Sequence, residues 1–276
     1  MVKPAQKIKA VKIMQAKGIS VRKACLVMDV SRTMLYYESK QRKKDQYLVQ
    51  KIKSLSDTYP RFGYRRIAVM LSFQEKKSVN AKRVYRLWQN LNLQLPKKRP
   101  KRKRVSSSAD TLKSLHANHV WSYDFVSDKT ATGRKLKILT VVDEHTRECL
   151  ALEVATSIRS HHLIETLSRL MSIYGKPRFI RSDNGPEFTS KAIIKWLSSQ
   201  QIGPSYINPG SPWENGYIES FNGKFRDECL SREWFVSLKE AQIIIEEWRR
   251  FYNTKRPHSS LGYQTPAAYS GRKNVA

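Results

Sequence analysis

Apolar residues recur at helical spacing through the first part of the chain. The first predicted helix carries one apolar face, formed by Ile8, Val11, Ile13 and Met14. Gly18 interrupts this pattern, Ser20 is placed to cap a second helix, and Ser31 opens a third. Two helices joined by a short turn favour a helix-turn-helix within residues 1–42, although a generic small helical bundle fits the same pattern.

A second helical block is predicted over residues 43–95, with a break at the sequence YPRFG. Its last helix, predicted over 80–91, directs apolar side chains inward: Val84, Leu87 and Trp88. The same helix directs basic side chains outward: Lys82, Arg83 and Arg86. This basic face suits contact with DNA phosphates, but a solvated surface would show the same pattern. We interpret the block as a helical DNA-binding domain.

From residue 115 onward the pattern changes to short β-rich segments separated by polar turns. Strands are predicted over 119–127, 136–142, 149–155, 178–181 and 205–207. Helices are predicted over 163–174 and 191–199 between the later strands. Three successive strands followed by alternating helices and strands predict an α/β domain with a mixed sheet. We assign this domain to 115–230, and a C-terminal helix and tail to 231–276.

The charge of the chain is strongly positive and unevenly distributed. The net charge is +29, and residues 1–110 contain 29 basic and 6 acidic side chains. Seven of the eight residues 97–104 are basic, which predicts an exposed linker over 96–114. A soluble protein this basic usually binds a polyanion. Nucleic acid is therefore the leading partner, and an anionic membrane surface is the weaker alternative.

Composition disfavours several other classes of protein. No apolar run approaches the roughly 20 residues of a membrane span, and the N-terminus lacks an apolar signal core. The three cysteines lie far apart, which disfavours both a disulfide framework and a cysteine-rich zinc site. We therefore expect a cytoplasmic protein without a membrane segment. His161, His162 and His258 are expected at the surface or in loops.

Three acidic residues occupy positions where chemistry is expected. Asp124 lies within an apolar strand, where alternation places it on the same side as Ser122 and Val126. Asp183 ends a strand, which is where ligand sites form in α/β sheets. Glu219 lies in a predicted helix. Each acid alone also fits an ordinary role, as a hydrogen-bonding residue, a turn residue or a partner of the helix dipole.

Together the acidic segments resemble a known family. The sequences SYDF, RSDNGPEF and NGYIESFNGKFRDECL resemble the three acidic motifs of the retroviral-integrase superfamily, with 35 residues between Asp183 and Glu219. The sequences YPRFGYRRI and FYNTKRPHSSLGYQTP narrow the resemblance to OrfB-type transposases of the bacterial insertion-sequence-three family. The resemblance spans residues 45–270, which is nearly the whole chain.

The resemblance implies a ribonuclease-H-like catalytic core with a mixed five-stranded sheet and flanking helices, preceded by all-α DNA-binding segments. In that family the matching acids hold two Mg²⁺ ions, for which Mn²⁺ substitutes. Asp124 would bridge both ions, and Asp183 and Glu219 would each complete one site. Water would first release a 3′-OH at an element end, and that 3′-OH would then attack a second phosphodiester. A DNA-binding regulator with an inactive core and a simple metal-dependent nuclease are the alternatives.

The resemblance also implies partners. We expect double-stranded DNA, a homo-multimer, and a first-frame OrfA-type protein or a fusion to it. The predicted DNA-contact residues are Arg32, Arg65, Arg66, Lys82, Arg83, Arg86, Lys224 and Arg226. Arg226, seven residues after Glu219, matches a basic position of the family and is expected to bind a phosphate near the site.

Overall fold

Three short helices form the N-terminal part of the structure, a computed structural model that describes residues 4–37, 40–96, 112–183, 190–206 and 215–271. They are α1 (Pro4–Ala16), α2 (Val21–Val27) and α3 (Arg32–Tyr36). Ser20 and Ser31 cap α2 and α3 as predicted, because their hydroxyls accept hydrogen bonds from the N–H groups of Lys23 and Met34. These helices enclose a small apolar cluster formed by Val11, Ala24, Cys25 and Val30.

The next three helices form a separate apolar core. They are α4 (Lys40–Thr58), α5 (Tyr64–Glu75) and α6 (Ala81–Asn90). Val84, Leu87 and Trp88 of α6 are buried in this core, which confirms the predicted inward face of that helix. Asn80 caps α6 by accepting a hydrogen bond from the Lys82 N–H.

A mixed sheet of five strands forms the centre of the second half of the chain. Its strands are β1 (Val120–Lys129), β2 (Lys135–Asp143), β3 (Cys149–Ala155), β4 (Phe179–Ser182) and β5 (Gly203–Tyr206). The spatial order is β3-β2-β1-β4-β5; β1 and β2 pair antiparallel, as do β2 and β3, whereas β4 is parallel to both β1 and β5. The predicted fold class is confirmed.

Helices cover both faces of this sheet. On one face, α7 (Ser160–Tyr174) and α8 (Lys191–Ser199) pack against Trp121 and Tyr123 of β1. On the other face, α9 (Gly216–Phe225) packs against Val126. The two sides of β1 therefore belong to two different apolar cores, as the alternation along the strand predicts.

The helices that follow α9 continue the same face. A π-helical turn at Arg226–Leu230 extends α9, and α10 (Leu238–Thr254) and α11 (Pro266–Ser270) are the last α-helices among the described residues. Helix α10 contributes Ile245, Trp248 and Tyr252 to the apolar core beneath α9. The C-terminal helix is thus part of the packing that holds α9 against the sheet.

Aromatic rings and one ion-pair network join the second helical unit to this core. Tyr59 and Phe62 stack on Phe251 of α10, with the Tyr59 and Phe251 centroids 5.0 Å apart. Glu228 accepts two hydrogen bonds from Arg256, at 2.5 and 2.6 Å, and lies 3.5 Å from Arg66 of α5. Because Arg256 is fully buried, this network is internal to the molecule. No helix among the described residues is long and apolar enough to span a membrane.

Candidate active site

Asp124 stands at the centre of β1, on the sheet face that α9 covers. Its carboxylate is half-buried and accepts hydrogen bonds of 2.7 Å from the Phe125 N–H and from the side-chain amide of Asn222 on α9. The Thr140 hydroxyl of β2 donates a hydrogen bond to the backbone carbonyl of Asp124. These contacts hold the carboxylate in a defined position beneath the helix.

Asp183 follows the end of β4, next to β1 in the sheet. Because Ser122 pairs with Arg181 in parallel register, two residues further along each strand bring Asp124 and Asp183 to neighbouring positions on the same face. Burial raises the pKa of Asp124 above its usual value, and the negative charge of Asp183 raises it further. Two carboxylates that repel each other in this way form a site suited to a cation.

Glu219 lies in the first turn of α9 and its side chain is exposed. It precedes Asn222 by three residues, so the two share one face of the helix. Asn222 contacts Asp124 directly. Glu219 therefore lies about one helical turn from that contact, since the Cβ atoms of residues three apart on a helix are roughly 5–6 Å apart. The fold therefore places the third acid at the margin of the same site.

The described residues include no group of three His, Cys, Asp or Glu side chains positioned to hold one metal ion. The fold brings Asp124 and Asp183 to neighbouring positions, whereas the Glu219 side chain does not converge with them on a point where all three could bind one ion. The donor set nevertheless suits Mg²⁺, because carboxylate oxygens are its preferred protein ligands. A cation between Asp124 and Asp183 would also offset their mutual repulsion. The ligand assignments remain predictions.

The two basic residues predicted on the helix after Glu219 lie on different faces. Arg226 is exposed and seven residues from Glu219, which places it on the acidic face at the start of the π-helical turn. Lys224 is half-buried on the opposite face. Burial lowers the pKa of Lys224 to about 8, and the nearby Arg256 and Arg66 lower it as well. Only Arg226 therefore shares a face with the acids.

The predicted basic residues of the helical segments differ in how they are engaged. Arg32, Arg65 and Lys82 are exposed on α3, α5 and α6. Arg83 and Arg86 both form ion pairs with Asp45 of α4, at 2.7 and 2.6 Å.

Arg66 is half-buried against Glu228, and burial lowers its pKa. The contact of these basic residues with DNA remains a prediction.

The environment of His258 differs from the sequence-based expectation. Only 3% of its surface is exposed, and its ring packs edge-on against Tyr252 at 4.6 Å between centroids. His258 therefore lies in a loop, which is one of the two expected positions, but it is buried and not at the surface. Burial lowers its pKa to about 2, and the positive charges of Arg256 and Lys224 act in the same direction, so the imidazole is neutral.

Sequence reasoning also missed Arg256 and Glu228 as partners. Arg256 lies in the quoted C-terminal motif, yet only folding brings it to Glu228. The available signal was a basic residue and an acidic residue within two separate family motifs, and this signal does not specify a contact.

The sheet and the helices that cover it define an integrase-type core. Two models described as "Integrase core domain" match residues 114–212 and 200–266, and a model described as "HTH-like domain" matches residues 42–102. The chain belongs to the insertion-sequence-three family of insertion-element transposase proteins, which combine this core with a helix-turn-helix-like domain.

Relatives over nearly the whole chain support this membership. An uncharacterized 39.2 kDa protein of insertion element IS476 from Xanthomonas euvesicatoria is 41% identical over 97% of this chain and 77% of the relative. An uncharacterized 31.7 kDa protein of insertion element IS407 from Burkholderia multivorans is 39% identical over 94% of both. A putative transposase, InsK of insertion element IS150 from Escherichia coli, is 25% identical over 87% of this chain and 90% of the relative.

A solved structure shares the fold. A chain of the simian T-cell lymphotropic virus intasome, solved in complex with the PP2A regulatory subunit B56 gamma, aligns with 82% of this chain and 76% of its own length. The TM-score is 0.51 at 14% sequence identity. At that identity the likeness shows the fold alone.

Proposed function

We propose that this protein is a transposase that cuts the ends of its insertion element and joins them to target DNA by metal-dependent strand transfer. The observation that carries this proposal is the pairing of Asp124 with Asp183 beneath α9, with Glu219 one helical turn from the Asn222 contact. A family that includes a putative transposase supports the same conclusion.

Each acid has a proposed role set by its position. Asp124 and Asp183 together would hold a divalent cation at the neighbouring strand positions, and Glu219 would complete a second site from α9. Asn222 would keep the Asp124 carboxylate oriented through its 2.7 Å hydrogen bond. When bound, two Mg²⁺ or Mn²⁺ ions activate an attacking oxygen and stabilise a leaving one at a phosphodiester. Arg226 would bind a phosphate beside this centre.

The reaction needs no protein nucleophile. Water would attack the phosphodiester at an element end and release a 3′-OH, which would then displace a 3′-oxygen in the target strand. Each step exchanges one P–O bond for another, so no nucleoside triphosphate is consumed. The protein contributes alignment of the strands and stabilisation of charge at the phosphorus.

The partners follow from the same proposal. The helical segments would bind the element ends as double-stranded DNA, and two ends held at once call for a homo-multimer. A first-frame OrfA-type protein, or a fusion to it, would supply further end recognition. The proposed location is the bacterial cytoplasm, at the nucleoid.

The test is a cleavage and joining assay on labelled duplex that carries the element's own ends. Mg²⁺, Ca²⁺ and EDTA are compared for the native protein, Glu219→Gln and a matched control, Glu233→Gln, which removes the same charge from an exposed position outside the site. We expect joined products with Mg²⁺ in the native protein and in Glu233→Gln, and none in Glu219→Gln.

Other outcomes distinguish the alternatives. Cleavage without joining, unchanged when the first-frame partner is added, favours a simple nuclease. DNA binding without any Mg²⁺-dependent product, with or without that partner, contradicts the transposase proposal and favours a regulator with an inactive core.

A further inference from the structure

A cavity of about 650 Å³ lies on the side of α9 opposite the acids. We call it the basic cavity, and its principal lining residues are Arg147, Arg181, Tyr217, Ser220, Lys224 and Ser259. Tyr217, Ser220 and Lys224 recur every three to four residues, so they form one face of α9. The other walls are the end of the sheet, the turn between β2 and β3, and the C-terminal segment after α10.

The walls of this cavity carry an excess of positive charge. Lys113, Arg147, Arg181 and Lys224 line it, and none of its described lining residues is acidic. Arg181 is neutralised by Glu144, which accepts its hydrogen bonds at 2.8 and 2.9 Å. Among the described residues, Lys113, Arg147 and Lys224 form no ion pair with a carboxylate; Glu144 acts on Arg147, and Glu228 on Lys224, only electrostatically.

Arg147 is held in place, but two of its guanidinium nitrogens lack an acceptor. Its guanidinium lies over the ring of Tyr217, 3.9 Å from the centroid. Its Nε and Nη1 atoms are buried and have no hydrogen-bond partner among the described residues. A buried donor without an acceptor is costly, so a group that supplies acceptor oxygens would be stabilised there.

The amine of Lys224, like the Arg147 guanidinium, lies where an anion would be stabilised. Glu228, four residues further along the chain, acts electrostatically on Lys224, but it is already bound by Arg256 and lies 3.5 Å from Arg66. Burial lowers the pKa of Lys224, and the positive charges of Arg256, Arg66 and Arg147 lower it further, so positive charge is in excess around the amine. An anion in the cavity would reduce this repulsion.

We infer that the basic cavity binds a phosphate group of a DNA strand through Arg147 and Lys224. The inference rests on the proposed function and extends it by a second contact region, separated from the acids by the width of α9. The cavity is larger than one phosphate and lies within the size range of small-ligand sites, which suits a nucleotide unit of a strand. The first turn of α9 also lines it at Gly216, and N–H groups at a helix N-terminus favour an anion.

The test measures binding of element-end duplex to the full chain in Ca²⁺ as a function of salt. Lys224→Met and Arg147→Met remove one charge each and keep most of the side-chain volume. Lys239→Met is the matched control, because Lys239 is exposed on α10 outside the cavity. We expect each cavity variant to lower affinity about tenfold and to reduce the salt slope by about one, and the control to change neither.

A second arm distinguishes a strand phosphate from a free one. Inorganic phosphate is titrated into the native protein and the same variants, and the thermal midpoint is followed. Stabilisation by phosphate that is lost in both cavity variants, with DNA affinity unchanged, would assign the cavity to a free phosphate and overturn the strand contact. If neither DNA nor phosphate binding differs from Lys239→Met, the cavity binds neither and the inference is wrong.

A change in DNA affinity can be distinguished from a loss of folding and from a loss of catalysis. Lys224→Met removes a cation beside two arginines, so we expect its thermal midpoint to equal or exceed that of the native protein. Arg147→Met provides an independent second variant. Because binding is measured without turnover, a missing Mg²⁺-dependent product would contradict the proposed function and leave the cavity result intact.

Discussion

Asp124 is the residue on which both the chemistry and the local electrostatics depend. Its pKa is raised because burial and Asp183 disfavour its charge. We predict that Asp124→Asn abolishes strand cleavage, by about 10³-fold or more, since the amide is a poor ligand for a cation and carries no charge. DNA binding should persist. Loss of binding and cleavage together would mean that Asp124 is structural.

The same residue predicts a pH dependence of stability. An acid whose pKa is higher in the folded state than the unfolded value of about 3.9 stays protonated to a higher pH when the protein is folded. Its contribution to the free energy of unfolding therefore falls as the pH rises from the unfolded pKa to the folded pKa. Asp124→Asn removes this contribution. We therefore expect the variant to be at least as stable as the native protein at pH 7, with the difference disappearing below about pH 3.9. Thermal unfolding at both pH values measures it, and a variant less stable at pH 7 contradicts it.

Asn222 is expected to act through Asp124. Its amide donates the 2.7 Å hydrogen bond that fixes the carboxylate beneath α9. We predict that Asn222→Leu lowers cleavage by about 10–100-fold, the usual cost of removing a group that orients a metal ligand, and raises the Mg²⁺ concentration needed for half-maximal rate. A loss of rate with no change in Mg²⁺ requirement would indicate a role in packing alone.

At the scale of elements, the parts that could be predicted from sequence are those with a local signal. Alternation in β1 separates Asp124 from Tyr123, and the two residues lie over different apolar cores, as predicted. Ser20 and Ser31 cap helices because the cap contacts lie within three residues. The neighbouring positions of Asp124 and Asp183 follow from strand order, which the family resemblance implied and local pattern does not specify.

The missed parts depend on contacts between distant segments. Glu228 meets Arg256 from 28 residues away and Arg66 from 162 residues away, and no local pattern encodes such pairs. The loop position of His258 agrees with the sequence-based expectation, whereas its burial does not. The burial follows from the packing of that loop on Tyr252. The π-helical turn after α9 likewise has no sequence signal.

The Glu228 network is predicted to hold the C-terminal segment and α5 on the core. Arg256 is fully buried, so Glu228→Gln leaves the positive charge of Arg256 without a compensating carboxylate. Removing one partner of a buried ion pair lowers the free energy of unfolding by about 3–5 kcal/mol. Glu153→Gln is the control, since its pair with Arg169 is exposed and worth about 0–1 kcal/mol. Urea unfolding of both variants measures the difference. Equal small losses in the two would show that the buried pair adds little.

At the scale of the whole molecule, charge and chemistry are separated along the chain. Residues 1–110 hold 29 of the 52 basic side chains and only 6 of the 23 acidic ones. The acids of the candidate site all lie in the other part. The second helical unit docks on the core through Tyr59, Phe62 and Phe251, so a duplex bound by that unit would be held at a fixed distance from the site.

This separation predicts how binding responds to salt. A protein that neutralises about six phosphates loses about 10³-fold in affinity between 50 and 200 mM salt, because bound counterions are released from the DNA. We expect the affinity of the native protein for element-end duplex to fall at least this steeply between 50 and 200 mM salt. The measurement is made in EDTA, so that cleavage does not compete with binding. Asp124→Asn should give the same salt dependence, since we expect the acids to bind cations and the basic residues to bind the duplex. A flat response would mean that the excess charge does not face phosphate, and the assignment of the basic half to DNA would fail.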